Sequence, residues 1–368
     1  MKKILLLNLL FVGSLFSQDY YFEKYAPFDE NIKSPEEFLG YPIGEMHTRH
    51  DLIVSYMEYL SEVSDKAQIL HYGETYEKRK LLILAISSPD KISNLESIRD
   101  KHLSYINPDH QNYNEDLKKP EDFPVIINLG YGVHGNEPSS SEAALLTAYT
   151  LVSSKLDEVN DYLSNSIILV DPTINPDGRD RHSNWANTYK GSPLVDDPQD
   201  AEHNEYWPGG RTNHYWFDLN RDWYLGIHPE SRGKLKWYHS WQPNVTTDFH
   251  EMGSNSTYFF VPFKPNGSLN PVIPKENYDY FNFLFGSYYA KALDDIGTLY
   301  FTREVFDRTY PGYGSAYPDY LGGIGILFEQ ASSRGHKQKT QFGEITFPFT
   351  IRNQYISSLL YTSDAADD

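Results

Sequence analysis

The sequence predicts an α/β fold: a mixed, mostly parallel twisted sheet flanked by helices on both faces. Short runs of consecutive apolar residues, typical of strands buried on both faces, alternate with longer segments in which apolar residues recur every three to four positions. This alternation is typical of parallel strands joined by helical crossovers. The chain has 368 residues, 39% of them hydrophobic, and can therefore bury a sizeable core.

The predicted elements follow in chain order. Pro138 is placed at the start of the second predicted helix. A backbone N–H at that position has no partner within the helix, so proline, which lacks this group, is well tolerated there. Residues 179–218 show neither helical nor strand periodicity, and a loop of this length commonly borders an active site. The predicted strands are 81–87, 125–129, 167–170, 245–249 and 324–328, and the predicted helices are 47–65, 139–156 and 275–296.

The N-terminus resembles a secretory signal. Lys2 and Lys3 precede the apolar run 4–16, which is too short for a comfortable membrane span, and the small residue Ser17 suits cleavage. We therefore predict a cleavable signal peptide over 1–17 and a secreted or periplasmic protein.

The rest of the chain is predicted to form one unit, because it contains no repeat and no low-complexity linker. We expect a lead-in segment over 18–46 and a catalytic domain over 47–358. Residues 359–368 resemble the translation of a sequencing adapter, so we predict that this tail is not native.

Composition excludes several functions. The formal net charge is −19, and no cluster of Lys and Arg occurs that could bind nucleic acid. No segment after the signal is apolar enough to span a bilayer. The chain has no cysteine, so disulfides and thiol catalysis are impossible. Core burial, with or without a metal, must stabilise the domain.

Candidate metal ligands follow three of the predicted strands, at the sheet edge where open α/β sheets bind ligands. His134 and Glu137 follow the second strand in a glycine turn, His250 follows the fourth, and Glu329 follows the fifth. Two imidazoles and a carboxylate are the three ligands of a catalytic zinc ion, and a further carboxylate can accept a proton from water. The sequence lacks a second His at helical spacing from His250 and lacks a Gly-x-Ser-x-Gly elbow.

Five ordered motifs give this constellation a family resemblance. From about His47 to about Ser332, the sequence resembles the zinc carboxypeptidase family, which is typified by pancreatic carboxypeptidase A. The resemblance implies that family's fold and its peptidase activity. The matching stretches are Tyr72–Arg79, His134-Gly135-Asn136-Glu137, Asn175-Pro176-Asp177-Gly178, Phe217–Trp223, and His250 together with Glu329 in Leu327-Phe328-Glu329.

The resemblance implies a catalytic centre with one zinc ion. His134, Glu137 and His250 would be its ligands, and Glu329 would be the general base that activates water and then protonates the leaving amine. From the residues alone, Glu329 could instead pair with a cation such as Arg334.

The resemblance also implies residues that contact the substrate. Asn220 and Arg221 would bind the terminal carboxylate of a peptide, for which a planar guanidinium is well suited. Arg211 would polarise the scissile carbonyl, with Arg179 and Arg181 as competitors for that role.

The family has a mobile Tyr that closes over the substrate. Tyr310 is the preferred candidate here and Tyr313 is the alternative. The stretch 315–317 would belong to the specificity pocket, and since Asp319 is the one clear charge nearby, we expect neutral or apolar terminal side chains. Five further histidines are expected to be solvated and without a role: His182, His203, His214, His228 and His239.

Two other functions remain open. The first is a zinc amidohydrolase of the same fold that acts on acyl-amino acids or cell-wall peptides. The second is a non-catalytic binding relative that has lost activity. For the main hypothesis, the expected partners are the C-termini of peptides or proteins, without nucleic acid and without a membrane span.

Overall fold

The computed structural model describes residues 20–114, 123–262 and 270–360. Within these ranges ten strands form, and we number them in chain order. Strands β1 to β10 are Ala67–Glu74, Lys80–Ile86, Val125–Tyr131, Ser166–Asp171, Val245–Met252, Tyr258–Val261, Tyr300–Thr302, Ile324–Ala331, Lys337–Thr340 and Gly343–Thr346. The α-helices of the same ranges, α1 to α10, are Pro35–Leu39, His50–Val63, Pro89–Ser93, Leu95–Ile106, Ser139–Ser153, Asp157–Asn165, Pro176–Tyr189, Pro229–Trp241, Asn282–Asp295 and Phe347–Leu359.

Eight strands form one mixed sheet in the order β1-β2-β4-β3-β5-β8-β6-β7. Its centre is parallel, because β4, β3, β5 and β8 all pair in the same direction. At one side β1 and β2 are antiparallel, and at the other β6 runs antiparallel to β8. Strands β9 and β10 form a separate hairpin.

Helices cover both faces of the sheet, and strand β2 shows how. Leu82 and Leu84 belong to the core cluster that helices α2, α5 and α10 complete, whereas Ile83 and Ala85 belong to a second cluster with α3, α4 and α8. Successive side chains of a strand point to opposite faces, so a run of apolar residues serves both layers. The predicted fold class is therefore confirmed.

The prediction for residues 179–218 was wrong at its start. Helix α7 covers Pro176–Tyr189 and buries Arg179, His182, Ser183 and Ala186. These positions have helical spacing, but three of the four side chains are polar, so a search for apolar periodicity overlooks the helix.

The lead-in packs against the main core. Tyr21, Tyr25, Ile32 and Ile43 are buried in the same cluster as helices α2, α5 and α10. The predicted signal over 1–17 and residues 361–368 of the predicted tail lie outside the described residues. Across the described ranges, none of the helices combines the length and apolar character that crossing a bilayer requires.

Candidate active site

The candidate site lies at the carboxyl ends of the parallel strands β3, β5 and β8. His250 and Glu329 are directly paired in the register of β5 and β8, and the loop after β3 adds its own side chains. A cavity of about 400 Å³ opens here. It is lined by seven of the eight residues that the sequence singles out: His134, Glu137, Arg211, Asn220, Arg221, His250 and Glu329.

Three side chains converge with the geometry of a metal site. His134 Nδ1 lies 2.8 Å from Glu137 Oε1, His250 Nδ1 lies 3.0 Å from Glu137 Oε2, and the two Nδ1 atoms are 3.2 Å apart. Neighbouring ligand atoms in a tetrahedral zinc site are about 3.3 Å apart, since the zinc–nitrogen bond is about 2.0 Å. All three residues are buried. The donor set therefore fits a zinc ion.

Each imidazole of the cluster also contacts a second carboxylate, through its Nε2 atom. His134 Nε2 lies 2.9 Å from Asp218, and His250 Nε2 lies 2.9 Å from Asp248. An Nε2–H group that donates to a carboxylate leaves Nδ1 free to bind a metal. Burial alone would lower the pKa of each histidine, but the surrounding carboxylates outweigh it and raise the pKa of both. The electrostatic field at the cluster favours a cation.

The loop that carries His134 packs so closely that one position requires glycine. A Cβ on Gly135 would lie 2.1 Å from the backbone of Gly178 and Arg179. Asn175 caps the helix that begins there, because its side chain accepts from the Gly178 N–H, and its amide also donates to the Arg211 carbonyl. The Asn-Pro-Asp-Gly motif thus positions the metal loop and the segment of Arg211.

Glu329 lies at the cavity and is 9% exposed. Burial raises its pKa to about 8, and the nearby Glu137 carboxylate contributes in the same direction. Among the described residues, no ion pair joins Glu329 to Arg334. A carboxyl group with a raised pKa beside a metal cluster is suited to accept and return a proton.

Two arginines line the same cavity, and each is 44% exposed at its side chain. Arg211 donates to Asp218 at 2.9 Å and to Glu137 at 3.2 Å, so it lies beside the metal cluster. Arg221 is 3.9 Å from Asp218 and lies over the ring of Tyr313, 4.7 Å from its centroid. Its guanidinium is thus available to an anion.

The two competitors of Arg211 are engaged elsewhere. Arg179 is buried, donates to the Pro138 carbonyl, and forms an ion pair with Glu142 at 2.6 Å. Arg181 donates to the carbonyls of Gly209 and other residues of the same loop. Neither lines the cavity.

Asn220 has contacts that the sequence does not predict. Its amide nitrogen donates to Asp248, the carboxylate that holds His250, at 3.4 Å, and its carbonyl oxygen accepts from the Gly314 N–H at 2.7 Å. The side chain is 6% exposed. Asn220 therefore supports the carboxylate that holds His250 and ties the 314 turn to the cluster, while Arg221 is the more accessible of the two.

The two candidate tyrosines differ in position. Tyr313 lines the cavity, whereas Tyr310 is 37% exposed and donates its hydroxyl to the Arg221 carbonyl at 3.3 Å. The rings are 5.2 Å apart at their centroids. Tyr310 is thus adjacent to the cavity, and Tyr313 is the one within it.

Asp319, the charge expected near the specificity pocket, is buried away from the cavity. Arg308 pairs with it at 2.8 Å, and the Gly325 N–H also donates to it. Burial raises the pKa of Asp319 to about 7. The cavity wall nearby consists instead of Val305, Phe306, Tyr313, Ser315 and Leu327, with Asp307 as its acidic member.

The expectation of solvated histidines was wrong for three of five. His182, His203 and His228 are 4%, 7% and 7% exposed. The neighbours of His182 and His203 in the sequence are polar, so nothing in the local pattern signals the burial of these two. His239 is exposed, and His214 is partly exposed.

Sequence reasoning missed the two carboxylates that hold the imidazoles. Asp248 precedes His250 by two positions in β5, and residues two apart in a strand share a face. That spacing was a usable signal. Asp218 lies in the Phe217–Trp223 stretch, but its contact with His134 joins distant segments and has no local signal.

Comparisons with known proteins agree with this geometry. The sequence pattern of the zinc carboxypeptidase family matches residues 53–270, a range that contains the three cluster residues and ends before Glu329. The structure is similar to carboxypeptidase A from Helicoverpa armigera, with 15% identity, a TM-score of 0.56, and coverage of 96% of this chain and 82% of that one. It is also similar to a metallo-carboxypeptidase from Burkholderia cenocepacia, with 12% identity, a TM-score of 0.54, and coverage of 84% and 67%. A search of curated protein sequences finds no match.

The fold is that of a metallo-carboxypeptidase, a mixed sheet with helices on both faces. The chain belongs to the zinc carboxypeptidase family.

Proposed function

We propose that the chain is a secreted zinc metallocarboxypeptidase that hydrolyses the C-terminal peptide bond of peptides. One observation carries this proposal. The cation of Arg221 lies in the same cavity as the buried His134, Glu137 and His250 cluster and the carboxyl group of Glu329. An anion-binding group at a fixed place beside a hydrolytic centre selects the end of a chain over its middle.

The reaction needs a metal and a base. Zinc bound by the cluster would supply a Lewis acid that lowers the pKa of a water ligand and polarises a carbonyl. Glu329 accepts a proton from the attacking water and transfers it to the nitrogen of the leaving amino acid. Positive charge at the cluster would stabilise the Glu329 carboxylate and offset the effect of burial on its pKa.

Two arginines hold the substrate. Arg211, beside the cluster, donates to the oxygen of the scissile carbonyl as negative charge develops on it. Arg221 binds the terminal carboxylate, and Tyr313 supports its guanidinium from one face. Asn220 donates to Asp248, which in turn holds the His250 ring. On this proposal, the peptide bond that lies between Glu329 and Arg211 is the terminal one.

The pocket favours neutral or apolar terminal side chains. Phe306, Tyr313 and Leu327 line it beside the acidic Asp307, and the Asp319 carboxylate pairs with Arg308 away from the cavity. The two lysines and the apolar run at the N-terminus support the secreted part of the proposal.

Paired peptides test the direction of attack. Arg221 should bind a free C-terminus but not an amidated one, so we expect kcat/KM to be roughly 10- to 1,000-fold higher for the free peptide, from about 1.5–4 kcal/mol of lost charge-assisted contact. Arg221→Met should erase most of this ratio by slowing only the free peptide. The control is Arg99→Met in α4, whose guanidinium lies over Trp241.

Three results would count against the proposal. Equal cleavage of both peptides would indicate an endopeptidase. A strong preference for acyl-amino acids over longer peptides would indicate the amidohydrolase. A zinc-loaded protein without activity on any of these substrates would indicate a binding relative.

A further inference from the structure

A second cluster of potential metal ligands lies apart from the candidate active site. His47, Glu202 and His336 each offer a ligand atom, and these atoms all lie within 4.8 Å of one another. Each of the three residues is 1% exposed. None of them lines the cavity that contains His134 and Glu137.

Several polar atoms of this second cluster have no hydrogen-bond partner. His336 Nδ1 lies 2.5 Å from Glu202 Oε1, which leaves His336 Nε2 and Glu202 Oε2 unsatisfied. Neither ring nitrogen of His47 has a hydrogen bond of good geometry, although the Gly335 carbonyl is near enough to favour the charged ring. A buried polar atom without a partner costs about 1–3 kcal/mol, so four in one place point to a missing ligand.

The charge of Glu202 also indicates a bound cation. Glu202 is a fully buried carboxylate whose ion-pair partner, within the described ranges, is the His336 ring. A buried carboxylate is costly unless a cation compensates it. The cluster Glu77, Asp177 and His214 is different, because Arg79 pairs with both of its carboxylates.

A fourth histidine is adjacent. His182 in α7 lies with its ring centroid 5.3 Å from that of His47, and its Nε2 is also buried without a partner. Its Nδ1 lies 3.3 Å from Glu205, an arrangement in which a carboxylate orients a metal-binding imidazole. His47 is held in turn by stacking on Phe347, with centroids 4.0 Å apart.

We propose that His47, Glu202 and His336 bind a second zinc ion and that His182 completes its tetrahedral shell. Four protein ligands and full burial leave no open position, which is characteristic of a structural zinc site. The ion would join three segments that are distant in sequence: the residue directly after the lead-in, the loop after α7, and the residue before β9. In a chain without cysteine, it would supply the cross-link that a disulfide cannot.

Hydrogen bonds also link this second cluster to the loop that carries His134 and Glu137. Glu205, which holds His182, accepts a hydrogen bond from Asn136 at 3.1 Å, and Asn136 lies between His134 and Glu137. Loss of the second ion is therefore expected to loosen the loop that precedes Arg211, as well as to lower stability.

Metal analysis of the full chain tests the proposal. The parent protein should contain about two zinc ions per chain. His134→Ala, which destroys the catalytic cluster, should retain one, and a chelator should then lower the Tm of this variant further. His47→Ala and His336→Ala should each contain about one zinc, with His182→Ala showing weaker retention during dialysis. His71→Ala, which removes an exposed histidine of β1, is the control and should keep two.

Failure of this proposal is distinguishable from failure of the proposed function. A parent protein with one zinc, or a His134→Ala variant without zinc and with a Tm insensitive to chelator, would overturn the second site whatever the peptidase activity. These two measurements remain decisive even if the His47 and His336 variants do not fold. Full zinc retention in His182→Ala would remove His182 from the shell.

Discussion

At the scale of single residues, Glu329 has the environment that catalysis demands. Burial raises its pKa to about 8, and it is paired in register with His250 of the neighbouring strand. A proton acceptor in this position must be a carboxylate during turnover. The protonation state of Glu329 is therefore set jointly by burial and by the charge of the metal cluster.

Replacement of Glu329 by Gln tests this role. Gln preserves size and hydrogen bonding but cannot accept a proton, so we expect turnover to fall by roughly two to four orders of magnitude while zinc content is unchanged. In the parent, activity should fall as the pH is lowered through the pKa of Glu329, because only the carboxylate form is active. A variant within a few-fold of the parent, with the same acidic limb, would show that another group is the base.

At the scale of elements, the site depends on the close packing of two loops. The loop after β3 carries His134, and the start of α7 contains Gly178. Where they meet, Gly135 leaves no room for a side chain. The position of the ligands is therefore set by backbone contact as well as by their own hydrogen bonds.

Gly135→Ala should displace the metal loop. The added methyl group would lie 2.1 Å from backbone atoms, so the loop must move, at a cost on the order of 1–3 kcal/mol. We expect weaker zinc retention and lower activity. Gly253→Ala is the matched control, since no atom lies within 4 Å of its added methyl group. Equal zinc retention in both variants would contradict this account of the loop.

The elements differ in how far the sequence predicts them. Apolar runs correctly indicated β2, β3, β4, β5 and β8, because strands buried on both faces are apolar throughout. Strand β1 has an edge position and a half-exposed pattern, and was not predicted. Helix α7 was missed because its buried face is polar. The candidate ligands followed from motifs, whereas contacts such as that of His134 with Asp218 depend on the tertiary fold.

At the scale of the whole molecule, the main sheet organises the candidate active site but not the second cluster. Its central parallel strands deliver His250 and Glu329 to a common edge. The second cluster lies where the segment directly after the lead-in, the loop after α7 and the segment before β9 meet. One catalytic and one structural zinc ion would thus have separate ligands and separate consequences when lost.

The central claim is that this chain removes residues from the carboxyl end of peptides by means of a metal. The most direct test is mass spectrometry of a defined peptide of about ten residues during incubation with purified protein, with and without a chelator. We predict products shortened by successive residues from the C-terminus alone, and no products when the chelator is present. Internal fragments, or unchanged shortening after the protein is shown to be free of metal, would contradict the account.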